Sequence, residues 1–478
     1  MDVSIPLMNV ARAGRTRIWL LFALFLLGMM VLGRGFGEHT VQRLGQIMVA
    51  GTAFVFLLCW RRPYSPRLVD QPVVLGCGSV LVIGTISSLR SHQPLWAFAE
   101  VALITAGCLC AGAIAHTRRS DDVSLDRVLM LFIVFICAFK SFDFLTLAFH
   151  SLSSGVGTLD ADTFLRGFSN KRFYGQFQTF TLPLLSLPLL LASKRTTRLW
   201  VFVLLAIWWM IAISGGTRGT WLGMGVAGCL MVICGRSGRR WFSWQLPAAA
   251  TGLLLFWFIF GVLADHLGLT VLNFAGDRLT TSLSARDVIW QQAWDMIRAR
   301  PWLGFGPMHF ADIHNPIAAH PHQAILQWAC EWGIPSTLLV MWLVGRGLWA
   351  TFRLVRERAD SNDPVDLLRV CLFASLIGAL TQSMVDGVIV MPYSQLWLSL
   401  VVGWLMGIHV WNSDPTKPNA FIHWSWMGIS SAAVLFLVYV VIRDLPHLDE
   451  RNKLYQQQYG GHFQPRFWAQ GVIAIKPE

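Results

Sequence analysis

Apolar residues in this chain fall in blocks of membrane-spanning length, and that pattern excludes most folds. A bilayer core needs about 20 mostly apolar residues per helix. Stretches near residues 18–34, 43–60, 72–89, 95–115, 128–149, 173–192, 199–215, 219–235, 246–264, 323–350, 368–388, 394–411 and 424–442 qualify. The alternating segments of about 10 residues that mark a β-barrel do not occur. The sequence therefore predicts an all-α, polytopic integral membrane protein with about 12–13 transmembrane helices and one long helical loop. Only 13% of the residues are charged and 55% are hydrophobic, whereas soluble domains carry about 25% charged residues. A dissolved enzyme of this composition would precipitate.

The basic residues set the orientation. Arg61, Arg62 and Arg67 follow the second stretch, and Arg118, Arg119 and Arg127 follow the fourth. Lys194, Arg195 and Arg198, then Arg236, Arg239 and Arg240, then Arg353, Arg356 and Arg358 follow the sixth, eighth and tenth. Short loops rich in Lys and Arg stay in the cytoplasm, so the N-terminus is expected inside and the tail after the thirteenth stretch outside. This placement also explains the net charge of +12 through membrane lipids rather than nucleic acid. The loops 150–172, 214–219 and 265–322 then share the outer face. Residues 1–442 read as one transmembrane domain that includes the 265–322 loop, and 443–478 as a polar tail of unreadable role. The basic run Arg12, Arg15, Arg17 before Ile18–Leu32 reads as the start of an uncleaved first span. Most of the nine cysteines lie in apolar stretches with no CxxC pair, which suggests buried apolar groups rather than a disulfide framework or thiolate metal site.

The long loop carries the unusual chemistry. Histidine is rare in apolar surroundings because its charged form is expensive near lipid, yet His309, His314, His320 and His322 precede the stretch HQAILQWACEWGIP. An imidazole titrates near neutral pH and can take a proton from a hydroxyl. His322 stands at the junction of loop and helix, where a lone histidine is more often a cap or interfacial residue than a base. His320 and His322 could pair on a metal, but no acidic or cysteine partner stands at metal-ligand spacing. Arg218, in the glycine turn SGGTRGTWLG, and Arg286, which opens ARDVIWQQAWDMI, offer planar forks of donors suited to phosphate. Arg278 lies eight residues before Arg286. Snorkelling, or ion pairs with Asp277 or Asp287, is the plainer role for each. Glu331, placed in the same predicted helix as His322, reads as a buried carboxylate paired with an arginine. Lys171 and Arg172 in GFSNKRFYGQF could steer an anion or anchor a helix end.

Three segments together resemble a known family. HPHQAILQWACEWGIP resembles the H-x-H-N-x-x-L-x-x-x-x-E-x-G-I stretch of the O-antigen ligase and polymerase superfamily. ARDVIWQQAWDMIRARPWLGFGPMHF resembles its R-x-x-x-W…P-x-x-G-x-G-x-x-x-F segment, and SGGTRGTWLG its S-x-x-R-G-x-x-x-G turn. The three occur in the family's order around a long outer loop and cover roughly residues 210–345. The resemblance implies that His322 is the family's functional histidine and that Arg218 and Arg286 are its functional arginines. Glu331 and Gly333 match the motif, whereas Gln323 stands where the family commonly has Asn.

The activity so implied is glycosyl transfer without a cofactor or metal at the periplasmic face of a bacterial inner membrane. The donor would be O-antigen polysaccharide on undecaprenyl diphosphate, and the acceptor lipid A–core. Polymerase and protein O-oligosaccharyltransferase activities share these motifs; the short tail favours the ligase. A lipid-linked glycan transporter is the non-enzymatic alternative, although transporter sites usually lie nearer the bilayer midplane.

Overall fold

The computed structural model describes residues 4–32, 38–59, 70–120, 124–154, 157–274, 286–409, 420–460 and 463–473, with side chains from Arg17 onward. Arg61, Arg62, Arg67 and the candidate site residue Arg278 lie outside the described residues.

The chain is a bundle of helices. The first five are α1 (Ser4–Leu32), α2 (Glu38–Leu58), α3 (Gln71–Leu89), α4 (Pro94–Ser120) and α5 (Ser124–Ser153). The short strand β1 (Thr158–Asp160) and the single turn α6 (Ala161–Phe164) lead to α7 (Lys171–Leu185) and α8 (Leu187–Leu191). Next come α9 (Arg195–Ser214), α10 (Arg218–Ile233) and α11 (Arg236–Phe256), which runs on through a π-helical turn into α12 (Ala264–His266). Strand β2 (Thr270–Leu272) pairs in parallel with β1. The remaining helices are α13 (Arg286–Ala299), α14 (Ala324–Trp332), α15 (Ile334–Glu357), α16 (Pro364–Gln382), α17 (Pro392–Ile408), α18 (Ala420–Asp444) and α19 (Leu448–Tyr459).

Local chemistry accounts for many of the boundaries. Asn170 caps α7 by accepting from the Arg172 amide, and Asp363 caps α16 by accepting from the Val365 amide. Such side chains satisfy amides that have no partner inside the helix. Proline stands in the first turn of α3, α15, α16 and α17, where its missing N–H costs nothing.

Among the described residues nine helices are long and apolar enough to cross a membrane, and Arg17–Leu32 and Arg218–Ile233 are shorter apolar helices. The predicted stretches 173–192 and 394–411 correspond to α7 with α8 and to α17, which are 15, 5 and 17 residues long. The chain is thus an all-α, multi-pass membrane protein.

Two predicted spans are corrected. The stretch 323–350 is two helices, because Gly333 adopts φ +82° between α14 and α15 and Pro335 follows. Glu331 and His322 do not share a helix either, because α14 begins at Ala324 with Gln323 as its cap and His322 precedes that cap. The stretch 368–388 ends as helix at Gln382, which puts residues 383–391 in a connection.

An aromatic core packs α7, α9 and α17 together: Tyr174, Phe177, Trp208, Tyr393 and Trp397 are each almost wholly buried, with ring centroids 5.6–6.3 Å apart in successive contacts. This rigid centre lies beneath one end of the bundle. At that end the connections are tied to each other. The Gln93 amide donates to His309 Nε2 at 2.9 Å, Lys140 Nζ to the Arg166 carbonyl at 2.6 Å, and the Ala324 amide to the Ser383 carbonyl at 2.9 Å. The tail after α18 lies at this same end, where Gln464 donates to the Asn315 carbonyl at 2.7 Å. The opposite end carries basic loops, with Arg240 donating to Asn362 at 2.6 Å and Arg119 to the His409 carbonyl at 3.2 Å.

Candidate active site

The site starts from α13. Its apolar residues Ile289, Ala293, Met296 and Ile297 recur at helical spacing and pack against Phe310, Ala329 and Cys330. Arg286 and Trp290 are one turn apart and so share a face. Arg286 Nη2 donates to the Val385 carbonyl at 2.9 Å, and Trp290 Nε1 to the Pro321 carbonyl at 3.0 Å. One helix face thereby holds both the segment before His322 and the connection between α16 and α17.

The next segment, PWLGFGP, caps α14. The Phe305 and Gly306 amides donate to the Cys330 and Glu331 carbonyls at 2.9 and 3.0 Å, and the Ile334 amide donates to Pro301 at 2.8 Å. Backbone packs on backbone here, so Cβ atoms do not fit. A Cβ on Gly304 would lie 2.5 Å from the Glu331 carbonyl, and one on Gly333 would lie 2.3 Å from the Trp302 oxygen. Both residues also have positive φ, +66° and +82°, a region that glycine enters without steric cost.

His322 sits at φ +54°, an uncommon conformation for a residue with a side chain. Gln323 follows as the N-cap of α14 and accepts from the Leu326 amide. The His322 amide donates to His320 Nδ1 at 3.3 Å, and the two rings meet edge to face at 4.1 Å. His322 Nδ1 faces Asp386 Oδ1 at 3.8 Å, beyond hydrogen-bond reach, and is buried without a partner. Asp386 is held in turn by the Gly387 amide at 2.8 Å and Gln382 Nε2 at 3.2 Å. Burial, then the positive charges of Arg172 and Arg286, push the His322 pKa down to about 3. Burial pushes the Asp386 carboxyl up, against hydrogen bonds and the Arg172 charge that lower it.

The arginines gather around this pair. Burial lowers the pKa of Arg286; Arg172 and Arg218 act on it as like charges in the same direction, while Asp386 opposes them. Arg172 stands in the first turn of α7, Arg218 in the first turn of α10, and Arg286 in the first turn of α13. Three helix N-termini thus add their positive dipole ends to three guanidinium groups. Guanidinium groups at helix N-termini are suited to receiving an anion.

Residues 200–341 match the protein-family model described as O-Antigen ligase. Over this segment the chain is similar to the O-antigen ligase family. No curated protein matches the chain. The matched segment contains Arg218, Arg286 and His322, whereas Arg172 and Asp386 stand outside it.

Other residues singled out in the matched segment and around it have structural partners. His320 is 3% exposed, held against Gly387 so closely that a Cβ there would lie 2.5 Å from its ring. Its pKa is driven well down by burial, then by His322, Arg466 and Arg172. Glu331 accepts from the Phe310 amide at 3.0 Å and from Arg466 at 2.7 Å, which makes it the paired, buried carboxylate expected. Lys171 donates to the Asn273 carbonyl at 2.6 Å and pairs with Asp162 at 3.0 Å; it anchors the helix end rather than joining the arginines. His309 receives the Gln93 amide, and His314 stacks on Tyr459 at 3.7 Å. Among the described residues no group of three or more His, Cys, Asp and Glu is placed to hold a metal ion.

Asp386 was not apparent from the sequence. The available signal was an acidic residue inside a predicted apolar span, which is costly unless functional or paired.

Proposed function

We propose that this protein ligates O-antigen polysaccharide from undecaprenyl diphosphate onto lipid A–core at the periplasmic face of the bacterial inner membrane. The observation that carries this reading is the placement of Arg172 and Arg286 around the neutral imidazole of His322, with Arg218 beside Arg286, in and next to the segment that matches the O-antigen ligase model.

The chemistry follows from those groups. With its Nδ1 proton toward Asp386, His322 keeps the Nε2 lone pair for the acceptor sugar's hydroxyl. As the acceptor oxygen bonds to the anomeric carbon, its proton passes to Nε2 and the glycosidic bond to the diphosphate breaks. Attack from the face opposite the leaving group inverts the anomeric centre. The diphosphate leaves as a stable anion and needs no proton. Charge grows on its bridging oxygen, where Arg218 and Arg286 hold it as a divalent cation does in other transferases. Asp386 stabilises the imidazolium that forms. Transfer then proceeds in the presence of EDTA. The bound diphosphate also offsets the arginine charges and raises the basicity of His322 at the moment it is needed.

The test is a reconstituted transfer with defined carrier-linked donor and lipid A–core acceptor. His322→Ala abolishes ligation while the protein remains folded in the membrane. Full transfer by that variant ends the general-base assignment. Elongation of carrier-linked repeats in place of capped lipid A–core assigns the polymerase activity, and glycan on a protein hydroxyl assigns the protein transferase.

A further inference from the structure

The tail after α18 returns to the site and makes contacts of unusual kind. Arg466 is fully buried, with Nη2 at 2.7 Å from Glu331 and 3.5 Å from Glu100. Glu331 passes this tie onward, because its other oxygen accepts from the Phe310 amide at 3.0 Å. Two further bonds reach the histidine-bearing loop: Gln464 Nε2 to the Asn315 carbonyl at 2.7 Å, and the Ile473 amide to the Ala311 carbonyl at 3.2 Å. The tail backbone is itself anchored on α2. Arg43 donates from Nε to the Phe467 carbonyl at 3.1 Å and from Nη2 to the Arg466 carbonyl at 3.0 Å. The same Nη2 donates to the Val390 carbonyl at 3.1 Å, in the connection that carries Asp386. His322 and Asp386 are thus referred to one buried guanidinium by two routes, one of them through the tail.

We propose that Arg466 is a positioning residue for glycosyl transfer, the keystone by which the tail segment 463–473 sets the His322 loop against the Asp386 connection. This assignment rests on the ligase reading above. Buried ion pairs add little net stability compared with apolar side chains of similar volume. The buried Phe467, Trp468, Val472 and Ile473 already supply apolar packing for the tail. A guanidinium between two carboxylates fixes direction and distance, which is what a base and its orienting carboxylate require.

The experiment uses the full-length protein in detergent or reconstituted membranes. The variant is Arg466→Met combined with Glu331→Gln and Glu100→Gln, which removes all three charges together and leaves no buried carboxylate unpaired. A second variant is Arg466→Lys. Hydrogen exchange of backbone amides over 309–322 is expected to rise at least tenfold in the triple variant, with α9 unchanged. Its kcat for transfer falls at least tenfold, whereas KM for the carrier-linked donor stays within twofold because Arg172, Arg218 and Arg286 remain. Arg466→Lys falls between the two. Unchanged exchange over 309–322 overturns the assignment, and so does a wild-type kcat despite faster exchange. A rise in KM equal to the fall in kcat, with exchange faster throughout, assigns Arg466 to general stability and also overturns it. Absence of transfer by the wild-type protein overturns the functional reading and this assignment together; the other outcomes, with wild-type transfer intact, overturn this assignment alone.

Discussion

Replacing Asp386 by Asn tests the proposed chemistry at its most sensitive point. The substitution keeps the shape and removes the charge 3.8 Å from His322 Nδ1. At an effective dielectric of about 20, two unit charges at that 3.8 Å separation attract by about 4 kcal/mol. That attraction exists only once the imidazole is protonated, so it acts on the transition state and not on the resting enzyme. The side chains are 13% and 8% exposed, so solvent screens the pair only slightly; the carboxyl's own burial, which pushes it toward the neutral form, makes the figure an upper bound. Asp386→Asn is therefore expected to lower kcat by up to about 10³-fold, with KM for the donor little changed. Initial rates of reconstituted transfer between pH 5 and 9 measure this directly. A kcat within threefold of wild type across that range refutes the role assigned to Asp386.

Further outcomes follow from the same geometry. Arg172 lowers the His322 pKa second only to burial, so Arg172→Gln raises it; the base is lost as pH falls through that value, and the acid limb of kcat/KM moves to higher pH. An unmoved limb in the pH–rate profile removes Arg172 from the site. Arg286→Lys keeps the charge but loses the fork and the bond to Val385, and transfer is expected to fall by about 10²-fold; undiminished transfer reduces Arg286 to charge steering. Gly304→Ala forces a side chain into positive φ against the Glu331 carbonyl and should cost about 1–3 kcal/mol, read as a lower thermal midpoint in detergent. An unchanged midpoint contradicts the tight backbone packing described.

Much of the fold was legible because lipid imposes a simple rule. Backbone polar groups must be satisfied within each segment, so long apolar runs read directly as helices. Arg218, Arg286 and His322 were legible because the chemistry of their side chains is out of place near lipid and their motifs stand in a recognisable order. Where the reading failed, composition was silent about conformation. Nothing in the apolar run 323–350 distinguishes one helix from two until Gly333 takes φ +82°. The run 368–388 likewise concealed that Asp386 stands past the helix end.

Sequence alone determined that this chain lives in a membrane and which imidazole and guanidinium groups deserve testing. Those are properties of residue types and of their local spacing, and they need no partner. Only the tertiary structure decided what meets what: Asp386 opposite His322 across 64 residues of chain, Arg172 beside Arg286, and a polar tail returned to Glu331 across 135 residues. Contacts at such separations are set by how helices pack, and hydrogen bonds and close ion pairs form only where that packing brings the groups within about 3–4 Å.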